Sequence, residues 1–245
     1  MHLSTISALF LVALAEAAPY VTPNRQHTKE EPDYPTRCYP DPCKGVTYVN
    51  STAICGDPRL GPKDLPRSFP LSNEVATYSR FGELCPIEFL EKWTVNASDP
   101  TAYWIYPEND GFAVTTEKES ILGSFTLQVG QKLDRFGSEY GKFLAPLGAP
   151  YIERSLPPSN LFAPPNSNFP YNYHVYEVTK EFDILLGPIA PWFEQAGFGS
   201  QILAQSSVMD LLEGGFLKRL ELQDYDEADE YSAGYLPAPP KQSSA

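Results

Sequence analysis

The chain has 245 residues, 42% of them hydrophobic, and a formal net charge of −13. That much apolar side chain excludes a disordered protein, and the acidity excludes a partner held by its nucleic-acid phosphate backbone, which needs clustered Lys and Arg. With 25 prolines and 13% aromatic residues, the composition fits an irregular, mainly antiparallel α+β fold better than a helical bundle.

The chain opens with an apolar run from Ile6 to Ala15, followed by Ala15-Glu16-Ala17. Small residues at that spacing predict a secretory signal peptide over 1–17. No later run approaches the ~18 apolar residues of a membrane-spanning helix. Residues 18–37 are polar and proline-rich and read as an extended arm.

Cys38, Cys43, Cys55 and Cys85 all fall in the next segment, 38–102. An even number of cysteines in a secreted chain predicts two disulfides, with three connectivities open. The CxxxxC spacing of Cys38 and Cys43, with no histidine nearby, speaks against zinc. This segment is expected to be a stapled subdomain with a thin core of its own. Asn50-Ser51-Thr52 and Asn96-Ala97-Ser98 are glycosylation sequons, which accord with secretion.

Strand-like segments with Gly and Pro punctuation begin near residue 103 and extend to 222. "SFTLQVGQKLDRFG" reads as a strand running into a turn at Gly137. "YNYHVYEVTK" alternates, with Tyr173 and Val175 on one face and His174, Tyr176 and Val178 on the other. "FDILLGPIAPWF" holds another strand, ended by Pro188 and Pro191. Ser206 or Ser207 would cap a short helix over "VMDLLE", stopped at Gly214-Gly215, and "FLKRLEL" closes the domain as a strand.

The 223–245 tail contains "DYDEADE", where five carboxylates fall within seven residues. Asp224, Asp226, Glu227 and Asp229 are the candidate ligands for Ca2+, the alternative being a solvated acidic tail.

Familiar catalytic signatures are missing: no GxSxG elbow, HExxH pair, Walker loop or Rossmann glycine run occurs. Of three histidines, only His174 falls in the folded part. What remains is Arg135 and Arg154 in an aromatic frame with Phe143 and Tyr151, and Gln201 after a glycine-rich turn. Guanidinium groups grip phosphate oxygens in pairs, and aromatic faces receive flat rings. The competing expectation is that each arginine pairs with one of the 31 carboxylates.

"YPENDGF" (106–112), "DRFG" (134–137), "GKFLAPLGAPYIERSLPP" (141–158), "YHVYEV" (173–178) and "GPIAPWFEQAGFGSQ" (187–201) occur in the order found in TNT-type NAD glycohydrolases. The chain resembles the secreted fungal branch of that family over about half its length. The resemblance implies cleavage of the nicotinamide–ribose bond of NAD+, and of NADP+. It assigns catalysis to Arg154 and Gln201, and the nicotinamide face to Phe143. Arg135, His174 and Tyr151 are further substrate-binding candidates. It also implies a homodimer and strengthens the Ca2+ expectation. Phe198 departs from the glycine run of bacterial relatives. Two alternatives stay open: an ADP-ribosyltransferase, or a non-catalytic nucleotide-binding surface protein.

Overall fold

The computed structural model describes residues 34–163 and 170–221. The expected signal segment, most of the expected arm and the four acidic Ca2+ candidates lie outside the described residues. Among the described residues, no helix is long and apolar enough to cross a membrane, and no three His, Cys, Asp or Glu side chains gather as a metal site.

Helices α1 (Leu71–Glu74) and α2 (Pro86–Trp93) precede the strands. They are followed by β1 (Gly123–Leu127), β2 (Lys132–Phe136), β3 (Phe143–Pro146), β4 (Tyr173–Val178), β5 (Phe182–Pro188) and β6 (Ser200–Ala204). Helix α3 (Val208–Glu213) and β7 (Leu217–Leu220) end the series. All seven strands form one antiparallel sheet in the order β1-β5-β6-β3-β2-β4-β7.

The single strand expected from 124 to 137 is two strands that do not pair with each other. β1 lies at one edge and β2 near the middle. Strands β3 and β6 were not expected: each is short, and proline or glycine breaks their periodicity at one end. Helix α3 runs as expected, with Ser207 as its cap. Asp210 N donates to Ser207 Oγ (3.1 Å) and Ser207 N donates to Asp210 Oδ2 (3.1 Å), a reciprocal arrangement that supplies two otherwise orphaned amides with acceptors.

Alternation along β4 sorts its side chains between two cores. Tyr176 and Val178 join Leu133, Leu144, Ile184 and Ile202, and this face is covered by Val208 and Leu211 of α3. Tyr173 and Val175 join Phe136, Tyr151 and Leu161 on the other face, covered by Leu71, Val75 and Tyr78. Buried from both sides, β4 shows almost no exposed position.

A third cluster gathers Tyr34, Ile54, Leu60, Phe81, Phe89 and Leu90 with Phe193, and Trp93, Trp104 and Trp192 pack against it. The cysteine-bearing segment therefore completes its core with rings from beyond residue 103. Both disulfides form, as Cys38–Cys85 and Cys43–Cys55. Arg37 donates to Glu88 (2.7 Å) beside the first of these, and Cys85 N donates to Glu88 Oε2 (2.8 Å), so the start of α2 is held twice. Arg59, buried against Asp57, donates to the carbonyls of Asn96 (2.9 Å) and Ala97 (2.6 Å) and fixes the second sequon turn.

Candidate active site

The β2–β3 ladder consists of Leu133↔Pro146 and Asp134↔Ala145 and then stops, although β2 continues to Phe136 and β3 begins at Phe143. A cleft of about 40 Å3 opens at this gap, lined by Asp134, Arg135, Phe136, Phe143, Arg154 and Gln201 among others. A single water needs ~10–15 Å3 by this measure, so the enclosed part of this open cleft holds a few such groups.

Phe143 and Gln201 share one face. Phe143 pairs with Leu203, and Gln201 is two residues before it on β6, which makes the two diagonal neighbours. Gln201 Nε2 donates to the Asp110 carbonyl (2.8 Å), which fixes the amide and leaves its oxygen as an acceptor.

Arg135 belongs by alternation to the opposite face, with Leu133, and reaches the cleft where the ladder has ended. Its Nε donates to the Ser138 carbonyl (2.8 Å) and Nη1 to the Phe143 carbonyl (2.5 Å), spanning the gap. No carboxylate pairs with it among the described residues. Burial holds its guanidinium below the ordinary arginine range, so a ligand anion would supply the missing countercharge. Nη2 passes over the backbone at Gly141, where a Cβ would stand 2.0 Å away. Any larger residue there would displace the guanidinium.

Arg154 is differently placed. Both terminal nitrogens donate to Asp134, and Nη2 also reaches the Ala149 carbonyl (2.6 Å) and Glu74 Oε2 (3.4 Å), while Nε donates to Ala149 (2.8 Å). Its charge centre lies 5.0 Å from the centre of the Phe136 ring. Burial opposes the cation, but Asp134 more than restores it and Glu74 adds to this, so Arg154 titrates above its ordinary value. Asp134 also accepts from Gly148 N (2.9 Å) and the Tyr173 hydroxyl (2.9 Å). The carboxylate pairing that composition left open is what holds Arg154. It forms the cleft wall as a committed cation, and Arg135 is the one without a carboxylate partner.

Tyr151, expected at the substrate, is instead fully buried. Its hydroxyl donates to the Pro157 carbonyl (2.8 Å), and its ring packs on Tyr78 and Phe136. Its place in the second core withdraws it from any ligand.

His174 also lies off the cleft, opposite Arg135 in the β2–β4 register and 5% exposed. Its Nε2 meets Asn172 Oδ1 at 3.1 Å, and Nδ1 stands 3.7 Å from Glu139. Glu139 accepts from the Tyr176 hydroxyl (2.9 Å) and from Arg219 (2.6 and 2.8 Å). This network anchors the 137–142 turn that carries Arg135's acceptor Ser138. Burial lowers the His174 pKa, Arg135 and Arg219 lower it further, and Glu139 only partly opposes them.

Residues 197–199, before Gln201, form a constrained turn. Phe198 N donates to the Ile189 carbonyl (2.8 Å) and Gly199 N to Glu153 (3.1 Å). A Cβ at Gly197, where φ is +66°, would fall 2.8 Å from the Ile189 carbonyl. Phe198 itself has φ +66° and is 69% exposed. Sequence reasoning missed Asp134, Glu74 and Glu139, because single carboxylates carry no local pattern to show which cation they hold.

A guanidinium without a carboxylate partner among the described residues, a half-buried phenylalanine and a fixed amide thus meet at one small cleft. Residues 126–220 match the family described as tuberculosis necrotizing toxin. The chain is 56% identical over 229 residues to the conidial surface nicotinamide adenine dinucleotide glycohydrolase nadA of Aspergillus fumigatus, covering 94% of this chain and 97% of that protein. This chain belongs to the tuberculosis necrotizing toxin family.

Among solved structures, the tuberculosis necrotizing toxin in complex with its immunity factor IFT is 19% identical, with a TM-score of 0.45 over 86% of this chain and 100% of that one. Tse6 in complex with Tsi6 is likewise 19% identical, with a TM-score of 0.27 over 41% and 72% of the two chains.

Proposed function

We propose that this protein is an NAD+ glycohydrolase that also accepts NADP+, splitting the nicotinamide–ribose bond to give nicotinamide and ADP-ribose. The observation that carries the reading is the joint placement of Arg135, Phe143 and Gln201 at one cleft in a chain so similar to a protein named for that activity.

The chemistry suits a site without a catalytic carboxylate pair. Glycosidases that expel an alkoxide need an acid to protonate the leaving oxygen. Nicotinamide leaves from a pyridinium as a neutral molecule, taking the bonding electron pair with it, so no proton is required. The ribose left behind has oxocarbenium character, and water adds to it with loss of one proton to solvent.

In this reading the Phe143 ring receives the nicotinamide and Gln201 Oε1 accepts from a ribose hydroxyl or the attacking water. Arg135 binds the pyrophosphate. Arg154, locked by Asp134 and Glu74, positions the wall against which the ribose lies. Rate would come from positioning and preorganised dipoles.

The reading includes secretion to the cell surface through the 1–17 signal. Asn96 on its exposed turn and Asn50, half-buried on its own, are the glycan acceptors, and the chain functions as a homodimer with Ca2+ at the acidic tail. Sequence features and the surface location named for the Aspergillus protein support secretion and glycosylation, the run of carboxylates supports Ca2+, and the homodimer rests on the family resemblance.

The test is nicotinamide release from NAD+ by the secreted protein, beside Gln201→Ala with its unfolding temperature unchanged. Release by the parent and a loss of two or more orders of magnitude in the variant is expected. No release by the disulfide-intact, Ca2+-supplied parent would refute the activity. Labelling of added protein by ADP-ribose would favour transfer over hydrolysis.

A further inference from the structure

The enclosed part of the cleft holds a few water-sized groups, so the remainder of a dinucleotide must lie against whatever surrounds it. On the Gln201 side that surrounding is the 104–107 segment. Pro107 Cγ and Gln201 Oε1 each lie 3.6 Å from where a Cβ on Gly111 would stand, which places this segment beside the glutamine amide.

The segment is clamped along its length. Ile105 N donates to the Trp93 carbonyl (2.8 Å), Trp192 Nε1 donates to the Ile105 carbonyl (2.7 Å), and Trp104 Nε1 donates to Ser159 Oγ (3.1 Å). Tyr106 then stands edge-on to the fully buried Phe193, ring centres 5.7 Å apart at 89°. Despite that fixing, the Tyr106 side remains 58% exposed. Tyr140 and Phe198 are more exposed, but no ring contact holds either of them among the described residues. Burial of part of the side chain raises the Tyr106 phenol and Arg135 lowers it, so the two groups are within electrostatic reach of each other.

An aromatic ring fixed in place yet left more than half exposed gains less for folding than a buried one, whereas its fixing lowers the ordering cost of binding a second flat ring. Resting on the NAD reading above, we infer that Tyr106 is the stacking platform for the substrate's purine, with the pyrophosphate between it and Arg135. A base that loses its aromatic partner loses about tenfold or more in affinity.

The experiment compares the full-length protein with Tyr106→Phe and Tyr106→Leu. It reads KM and kcat for NAD+, and by calorimetry the Kd of ADP-ribose and of ribose 5-phosphate, which lacks the purine. Leucine is expected to raise KM and the ADP-ribose Kd about tenfold or more, with kcat and ribose 5-phosphate binding unchanged. Phenylalanine should behave as the parent, because the ring and not the hydroxyl is used. ADP-ribose added to the parent should also shift the Tyr106 ring protons in NMR spectra, a readout that needs no variant.

Equal weakening of both ligands, a loss confined to kcat, phenylalanine as damaging as leucine, or unshifted ring protons would each overturn the platform. ADP-ribose binding that depends on Tyr106 in a protein that releases no nicotinamide would keep the platform and discard the hydrolase reading. NAD+ cleavage with ADP-ribose affinity indifferent to Tyr106 would do the reverse.

Discussion

Arg135 and Arg154 line the same cleft, and alanine at each should have opposite consequences. Removing Arg154 leaves Asp134 and Glu74, 0% and 1% exposed, without their cation. Breaking a buried pair in this way costs about 3–5 kcal/mol. For a domain of this size each kcal/mol lowers Tm by ~2–4 °C, so the fall should be about 6–20 °C.

Removing Arg135 strands no carboxylate. It frees two carbonyls that border the open cleft, at ~1 kcal/mol each, and Tm should fall by only a few degrees. Its effect should appear in function, as a KM for NAD+ raised ~10-fold or more through loss of a charge-assisted phosphate contact. Differential scanning calorimetry and nicotinamide release on the same preparations separate the two. Unfolding of Arg154→Ala at the parental temperature, or a parental KM in Arg135→Ala, would contradict this division between the two arginines.

Gly141→Ala should act on the same cation with little effect on stability, since the added methyl meets only the far end of the Arg135 side chain. Activity should fall toward that of Arg135→Ala, and parental kinetics would show that the guanidinium has another place to go. His174 contributes a pH dependence whose sign is fixed. Its folded pKa lies below the unfolded value, so the unfolded chain binds the proton first and stability should decline as pH falls below ~6.5. Urea unfolding at pH 7.5 and 5.5 should show a smaller decline in His174→Gln, and an equal decline in both proteins refutes the assignment. Serine in place of Cys38 and Cys85, which close a 47-residue separation, should cost ~4 kcal/mol, against ~3 for the 12-residue Cys43–Cys55 pair. Denaturant midpoints of the two double variants check that order.

Local chemistry makes several elements legible in the amino-acid order alone. Ser207, Asp210 and Gly214 mark both ends of α3, because caps act within one turn. The alternation of "YHVYEV" assigns each of the core side chains of β4 to the correct core. Helix α2 is also readable and was missed: Pro86 at its first turn, Glu88 near its start and Lys92 near its end are start and stop signals, with Phe89 and Leu90 on the buried side. Strands β3 and β6 are not readable, since four or five residues do not make a period and their partners come from distant parts of the chain.

At the site, the order of amino acids already supplies the residue types: two arginines, a phenylalanine and a glutamine in motifs shared with a known family. It also determines oxidised cysteines, by number and spacing, without saying which joined which. Tertiary structure decided the roles. Arg135 and Arg154 are indistinguishable as letters, and only the packing of Asp134 and Glu74 against Arg154 gives it carboxylate partners, while Arg135 has none among the described residues. Tyr151 and Tyr106 divide in the same way, one sealed in a core and one fixed against Phe193 but left exposed. Charge pairing and burial depend on neighbours brought from as many as 102 residues away, and no local pattern in a chain encodes them.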